Sequence, residues 1–130
     1  MKSYKAHLQS TSFFNQDVNV FRSSAIFPVF LNKFLNCKIN FLSYWMVKKK
    51  IKEVSCVYSI RDKNGKIVIK KSSLITSTKN YEISLKDLLK KKNFIGSIEI
   101  EFFSSKNLVF PFPAVIINYL GEQSSRFVHT

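Results

Sequence analysis

The sequence predicts an all-β fold: an antiparallel two-sheet β-sandwich, immunoglobulin-like or jelly-roll-like, with one short helix. Three observations carry that prediction. Residues 98–102 alternate strictly, with Ile98, Ile100 and Phe102 on one side and Glu99 and Glu101 on the other, as in a strand with one buried and one wet face. An Asn64-Gly65 pair separates two apolar runs, a strong hairpin signal because both residues tolerate positive φ. The composition is rich in residues that suit a pleated surface, with 13 Phe, 5 Tyr and many Ile and Val, but little Ala. The runner-up is a small α+β fold, which requires residues 25–47 to be helical.

The chain has 130 residues. That length predicts one domain, large enough to bury a real core. Residues 1–16 are polar with scattered aromatics and read as an N-terminal arm or edge strand, leaving residues 17–130 as a single sandwich domain. Residues 17–22 alternate weakly, with Val18 and Val20 on one face of a short strand. Residues 25–36 are ambiguous. Pro28 followed by Phe30, Leu31, Phe34 and Leu35 makes an apolar stripe at helical spacing, so a short helix or an irregular crossing segment both fit.

Residues 38–47 carry bulky groups on both faces of a strand: Ile39, Phe41, Trp45 and Val47 on one, Leu42, Tyr44 and Met46 on the other. Such a run reads equally as a helix, because a short apolar stretch does not fix its period. Four lysines in residues 48–52 follow, as a solvated connection between strands. Residues 53–73 then form the hairpin around Asn64-Gly65. Its Asp/Asn/Gly cluster lacks the acidic spacing of an EF-hand loop and is a plain turn. Short strands are expected at residues 74–76 and 81–83. Ser84-Leu85-Lys86-Asp87 is a capping-box pattern opening one or two helical turns over residues 85–92.

The segment 95–120 supplies two further strands, the second apolar on both faces after Pro113. A last strand restarts at Arg126, so the chain stops in mid-strand, at a natural edge or short of a further segment. The short helix is too small for a usual βαβ crossover, which disfavours a doubly wound fold.

The net charge is +13, from 18 lysines and 3 arginines against 8 acids. Two readings compete. A basic face would hold nucleic acid, an acidic polysaccharide or an anionic membrane. Yet Lys, Asn, Ile and Phe all use A/T-rich codons, and Arg, the residue favoured for bidentate phosphate and base contacts, is scarce. Genome composition therefore competes with function as the source of the charge. Fourteen of the basic residues lie between Lys48 and Lys92, against four acids. The candidate polyanion residues are Lys48, Lys49, Lys50, Lys52, Lys90, Lys91 and Lys92, which form a patch if the fold brings their loops to one end.

Catalytic stock is thin. His7 and His129 sit near opposite termini, and no nucleophile–base motif is present. Glu99 and Glu101 project together, but such pairs are commonly a solvent face with cross-strand ion pairs to lysines. Cys37 and Cys56 have no C-x-x-C pattern and no partner His at metal spacing, so no metal or other cofactor is expected, and buried free thiols are the expectation. No signal peptide or transmembrane run is legible, which makes the cytoplasm the default location.

The sequence therefore points to a non-catalytic interaction or accessory module, carbohydrate-binding or an assembly domain, with a glycan or a partner protein as its ligand. Tyr44 and Trp45 are the candidate ligand-binding residues, as a stacking platform for a sugar ring if exposed, against a core role for Trp45. An uncovered apolar face over residues 41–47 would instead mark a partner interface. The alternatives are a lysine-rich module binding a polyanion, and a fragment of an enzyme whose active site lies elsewhere.

Overall fold

A computed structural model describes residues 20–48, 50–105, 114–121 and 125–129, with no side-chain detail for Ser125, Phe127 and His129. The proposed N-terminal arm, Lys49 and the 110–113 Phe-Pro-Phe-Pro run lie outside the described residues. The fold is all-β, built on two four-stranded antiparallel sheets. The first has the order β1-β6-β3-β4, with β1 at Phe21–Leu31, β3 at Val54–Asp62, β4 at Ile67–Ile75 and β6 at Phe94–Ser104. The second has the order β5-β2-β7-β8, with β2 at Asn36–Leu42, β5 at Asn80–Ser84, β7 at Val115–Leu120 and β8 at Ser125–His129. One five-residue helix, Tyr44–Lys48, follows β2, and another, Leu85–Leu89, follows β5.

The two sheets contribute to one hydrophobic core. Phe41 of β2 meets Phe102 of β6 edge to face, with centroids 5.0 Å apart. Phe27, Val29, Ile98 and Ile100 of the first sheet join Ile39, Val115 and Ile117 of the second in the same buried cluster. The alternation in β6 is as expected: Ile98, Ile100 and Phe102 are fully buried, and Glu99 and Glu101 face the other way.

Several expectations give way. Residues 25–36 are neither helix nor irregular crossing. Ala25, Phe27, Val29 and Leu31 alternate inward along β1, and Ile26, Pro28 and Phe30 point out. β1 is an edge strand bonded only to β6, where a proline without a backbone donor is tolerated. With β1 and β2 both extended, the α+β alternative falls. β1 starts at Phe21, so Val20 lies outside it, and Val18 lies outside the described residues.

Residues 38–47 change period at Ser43. Cys37, Ile39 and Phe41 face the core from a strand, then Trp45 reaches it from the helix. Ser43 fixes the switch: its hydroxyl donates to the Ser77 carbonyl at 2.9 Å and accepts from the Lys79 N–H at 3.2 Å. The lysine connection that follows is not wholly solvated, because Ile51 is buried and its N–H donates to the Trp45 carbonyl at 3.3 Å. β7 is not covered on both faces. Val115 and Ile117 are buried, and Ile116 is exposed.

The 53–73 hairpin forms as expected, but its turn differs from a two-residue Asn-Gly loop. The Gly65 N–H donates to the Asp62 carbonyl at 2.9 Å, and only Gly65 takes positive φ, at 85°. The Asp62 carboxylate accepts from the Asn64 and Lys66 N–H groups at 2.9 and 3.0 Å. A three-residue loop of Lys63, Asn64 and Gly65 results, with the glycine in the left-handed position.

The capping box fails as well. Ser84 occupies the N-cap in extended conformation, but its side chain makes no capping bond. Asn36 of β2 does the work instead, accepting the Lys86 N–H on Oδ1 at 3.2 Å and donating from Nδ2 to Ser84 Oγ at 3.3 Å. The helix ends after one turn at Lys90, which is left-handed at φ 55°.

Candidate lysine-lined cleft

The strand registers decide which lysines meet. Leu31 pairs with Phe94, and Asp62 with Gly96, so the β1–β2 turn, the β3–β4 turn and the start of β6 share one end of the molecule. β5 runs antiparallel to β2 with Ser84 opposite Lys38, which brings the Leu85–Leu89 helix to that same end. The Tyr44–Lys48 helix and residues 50–53 lie at the other end, beside Val54 and Leu42. The nine-residue β3 separates the two ends by about 25 Å.

The predicted patch is therefore split. Lys48, Lys50 and Lys52 are exposed at one end, and Lys90, Lys91 and Lys92 at the other. The second group gains two lysines the sequence reading did not single out. Lys33, Lys86, Lys90, Lys91 and Lys92, with Asn93, line one open cleft of about 650 Å³. Lys33 is brought there by a tight turn, Asn32-Lys33-Phe34-Leu35, closed by paired backbone bonds of 3.1 and 3.3 Å. The Asn32 side chain also accepts the Phe34 N–H at 2.7 Å. Lys86 ties that turn to the helix, donating from Nζ to the Asn32 carbonyl at 3.0 Å. Lys86 and Lys90 stand four apart on the chain, a spacing legible in the sequence; Lys33 became a neighbour only through the fold.

No carboxylate among the described residues lines this cleft. Among the described residues, Lys38 is the one lysine with a carboxylate in ion-pair range, Glu82 at 3.8 Å. The five cleft ammonium groups are thus not neutralised by described carboxylates, and each retains donors for a ligand.

The arginines are used otherwise. Arg22 Nε reaches Glu101 at 2.7 Å and its Nη2 reaches Glu99 at 3.3 Å, while Arg61 Nη1 binds the other Glu99 oxygen at 3.2 Å. Glu99 and Glu101 are a cross-strand ion-pair network as expected, but the partners are arginines from β1 and β3, not lysines. Arg126 is exposed on β8.

Trp45 is not a stacking platform. It is 1% exposed, packed on Phe102 at 5.1 Å, and half-buried Tyr44 stands edge-on to it at 5.2 Å. The apolar face proposed over residues 41–47 is also largely covered. Phe41 is buried, leaving Leu42 and Val47 exposed. Cys37 and Cys56 are free and buried. Burial pushes the Cys56 thiol up to about 12 and also raises Cys37, whose Sγ donates to the Phe30 carbonyl at 3.2 Å. His7 lies outside the described residues, and so does the side chain of His129. Among the described residues, no three His, Cys, Asp or Glu side chains gather into a metal site. No described helix is long and apolar enough to cross a membrane.

No family model matches the chain, and no curated protein matches it. Among solved structures, the chain is similar to the crystal structure of Thermotoga maritima 1070. The two share 14% identity over 83% of this chain and 90% of that one, with a TM-score of 0.48.

Proposed function

We propose that this chain is a non-catalytic binding module that holds a polyanion at its lysine-lined end. One observation carries the reading: Lys33, Lys86, Lys90, Lys91 and Lys92 line a single cleft with no carboxylate among its described lining residues. A chain that gained lysine through codon composition alone has no reason to gather five around one cavity. Close positive charges raise each other's free energy, and an anionic polymer relieves that repulsion while releasing its own counterions. The neutral-sugar alternative loses its main support with the burial of Trp45.

The test is the salt dependence of binding to oligothymidylate and to heparin. The wild-type chain is expected to give a log–log slope of several units. Substituting Lys90, Lys91 and Lys92 by Ala lowers the slope by about two for the single strand, at ~0.7 per phosphate contact. The matched variant with Lys48, Lys50 and Lys52 changed to Ala keeps the wild-type slope. Absence of binding at low salt overturns the proposal, as does an equal loss in the two triple variants, which would make the charge diffuse.

A further inference from the structure

The lysine cleft adjoins a second one, and Lys91 and Asn93 line both. The second, about 640 Å³, has an apolar lining that includes Phe30, Phe94 and Ile95, with Asn32, Asn64, Lys63 and one carboxylate, Asp62, also contributing. The Asp62 carboxylate accepts the Asn64 and Lys66 N–H groups of its own turn. Phe30, in the second cleft, is 42% exposed; Phe34 lines neither cleft but stands beside Lys33 at the tip of the β1–β2 turn and is 56% exposed. Phe30 is braced from behind by Tyr119 at 6.2 Å, whose hydroxyl donates to the Pro28 carbonyl at 2.6 Å. Ammonium groups are interleaved with these rings: Lys33 lies 5.4 Å from the Phe34 centroid and Lys91 lies 5.7 Å from that of Phe94.

Exposed rings beside ammonium groups that no described carboxylate pairs match one class of polyanion better than the rest. A sulfated polysaccharide satisfies the lysines and leaves the rings in water. A nucleic-acid duplex does the same, because its bases are stacked inside. A single strand presents phosphates and unpaired π-faces together, the combination that single-strand-binding surfaces use. Among the described residues, no arginine lines either cleft, so the bidentate reading of guanine has no reader there.

We propose that the two adjoining clefts hold single-stranded nucleic acid without sequence preference. Its phosphates lie along Lys33, Lys86 and Lys90 to Lys92, and its bases stack on Phe30 and Phe34. This inference rests on the polyanion reading of the lysine cleft and narrows it to one ligand class.

The experiment compares fluorescence anisotropy titrations of oligothymidylate, a duplex of equal length and heparin. The variants are the wild type, F30L/F34L and K90A/K91A/K92A. Leucine keeps the apolar bulk at two exposed positions but removes the ring face, and an unchanged thermal midpoint verifies the fold. F30L/F34L is expected to weaken oligothymidylate binding about tenfold, with an unchanged salt slope and unchanged heparin affinity. The lysine variant weakens all three ligands. Equal oligothymidylate affinity in wild type and F30L/F34L overturns the stacking inference while leaving the polyanion reading intact. Tighter binding of heparin than of oligothymidylate reassigns the site to an acidic polysaccharide. Absence of binding to any of the three removes both readings.

Discussion

The Asn36 carboxamide oxygen accepts the Lys86 N–H at 3.2 Å, across 50 residues of sequence. The same oxygen also accepts the Cys37 N–H at 2.8 Å, and the amide nitrogen donates to Ser84 at 3.3 Å. One side chain on β2 thereby satisfies a donor at the start of a helix that its own N-cap residue leaves unbonded. That helix carries Lys86 and leads directly into Lys90, so Asn36 also sets the position of the lysine cleft.

Asn36→Ala removes the acceptor and leaves a helix-start donor unbonded. It is expected to lower stability by about 1 kcal/mol, the usual value of an N-cap. Asn36→Asp keeps the acceptor for the Lys86 N–H and loses only the Nδ2 donor to Ser84, so it should retain most of the stability. Urea denaturation checks this: the midpoint falls for Ala and much less for Asp, with the slope unchanged in both.

Gly96 of β6 pairs with Asp62 of β3 and lies hard against the Arg61 carbonyl. A Cβ there would collide with the Arg61 carbonyl oxygen and come within 2.8 Å of the Phe94 ring. The carbonyl belongs to the backbone of the neighbouring strand and has no free torsion by which to yield. Gly96→Ala should destabilise by about 1–3 kcal/mol, the range for overpacking. Gly65, with φ at 85° and open space around it, should cost about 1 kcal/mol as Ala, from backbone strain alone. Thermal melts of both variants should rank Gly96→Ala as the more damaging.

Much of this architecture was legible before any coordinates. The alternation at residues 98–102 and the punctuation at residues 62–65 are local signals, and both elements formed where expected. The failures share a cause. Residues 28–36 carry an apolar residue at six of nine positions, because Phe30 and Phe34 are exposed aromatics that mimic core and blur the period. Residues 38–47 join the tail of a strand to the head of a helix, and the switch is fixed by Ser43 bonding to residues 77 and 79, partners no local window contains. The lysine site was half legible: Lys90 to Lys92 stood out as a run, but which other lysines joined them depended on strand register. The Lys48–Lys52 run looked equivalent in the sequence and was carried to the opposite end.

Cys56 supplies a pH prediction. Its thiol is raised from an ordinary 9.0 to about 12 by burial among apolar side chains. In the unfolded chain the thiol ionises from about pH 9, while the folded chain keeps its proton. Folding therefore holds more protons than unfolding between pH 9 and 12, and stability falls as pH rises through that window. At neutral pH both states are protonated and the group contributes no slope. The comparison is with a variant: Cys56→Ala should lose stability less steeply than wild type between pH 9 and 11. The native thiol should also react with a disulfide reagent at pH 8 only at the rate of unfolding.

Trp45 offers the sharpest check on the core. It is packed against Tyr44 and Phe102, and its indole N–H finds no acceptor among the described residues. Truncation opens a large cavity, so Trp45→Ala should cost about 3–5 kcal/mol. Trp45→Phe loses less volume and also removes a buried donor that is costly to leave unbonded. Its loss should be well under half that of Ala. Native emission should be blue-shifted and resistant to iodide, and neutral oligosaccharides should not change it. A red-shifted, readily quenched native tryptophan would contradict the burial and return Trp45 to the surface as a candidate sugar-stacking residue.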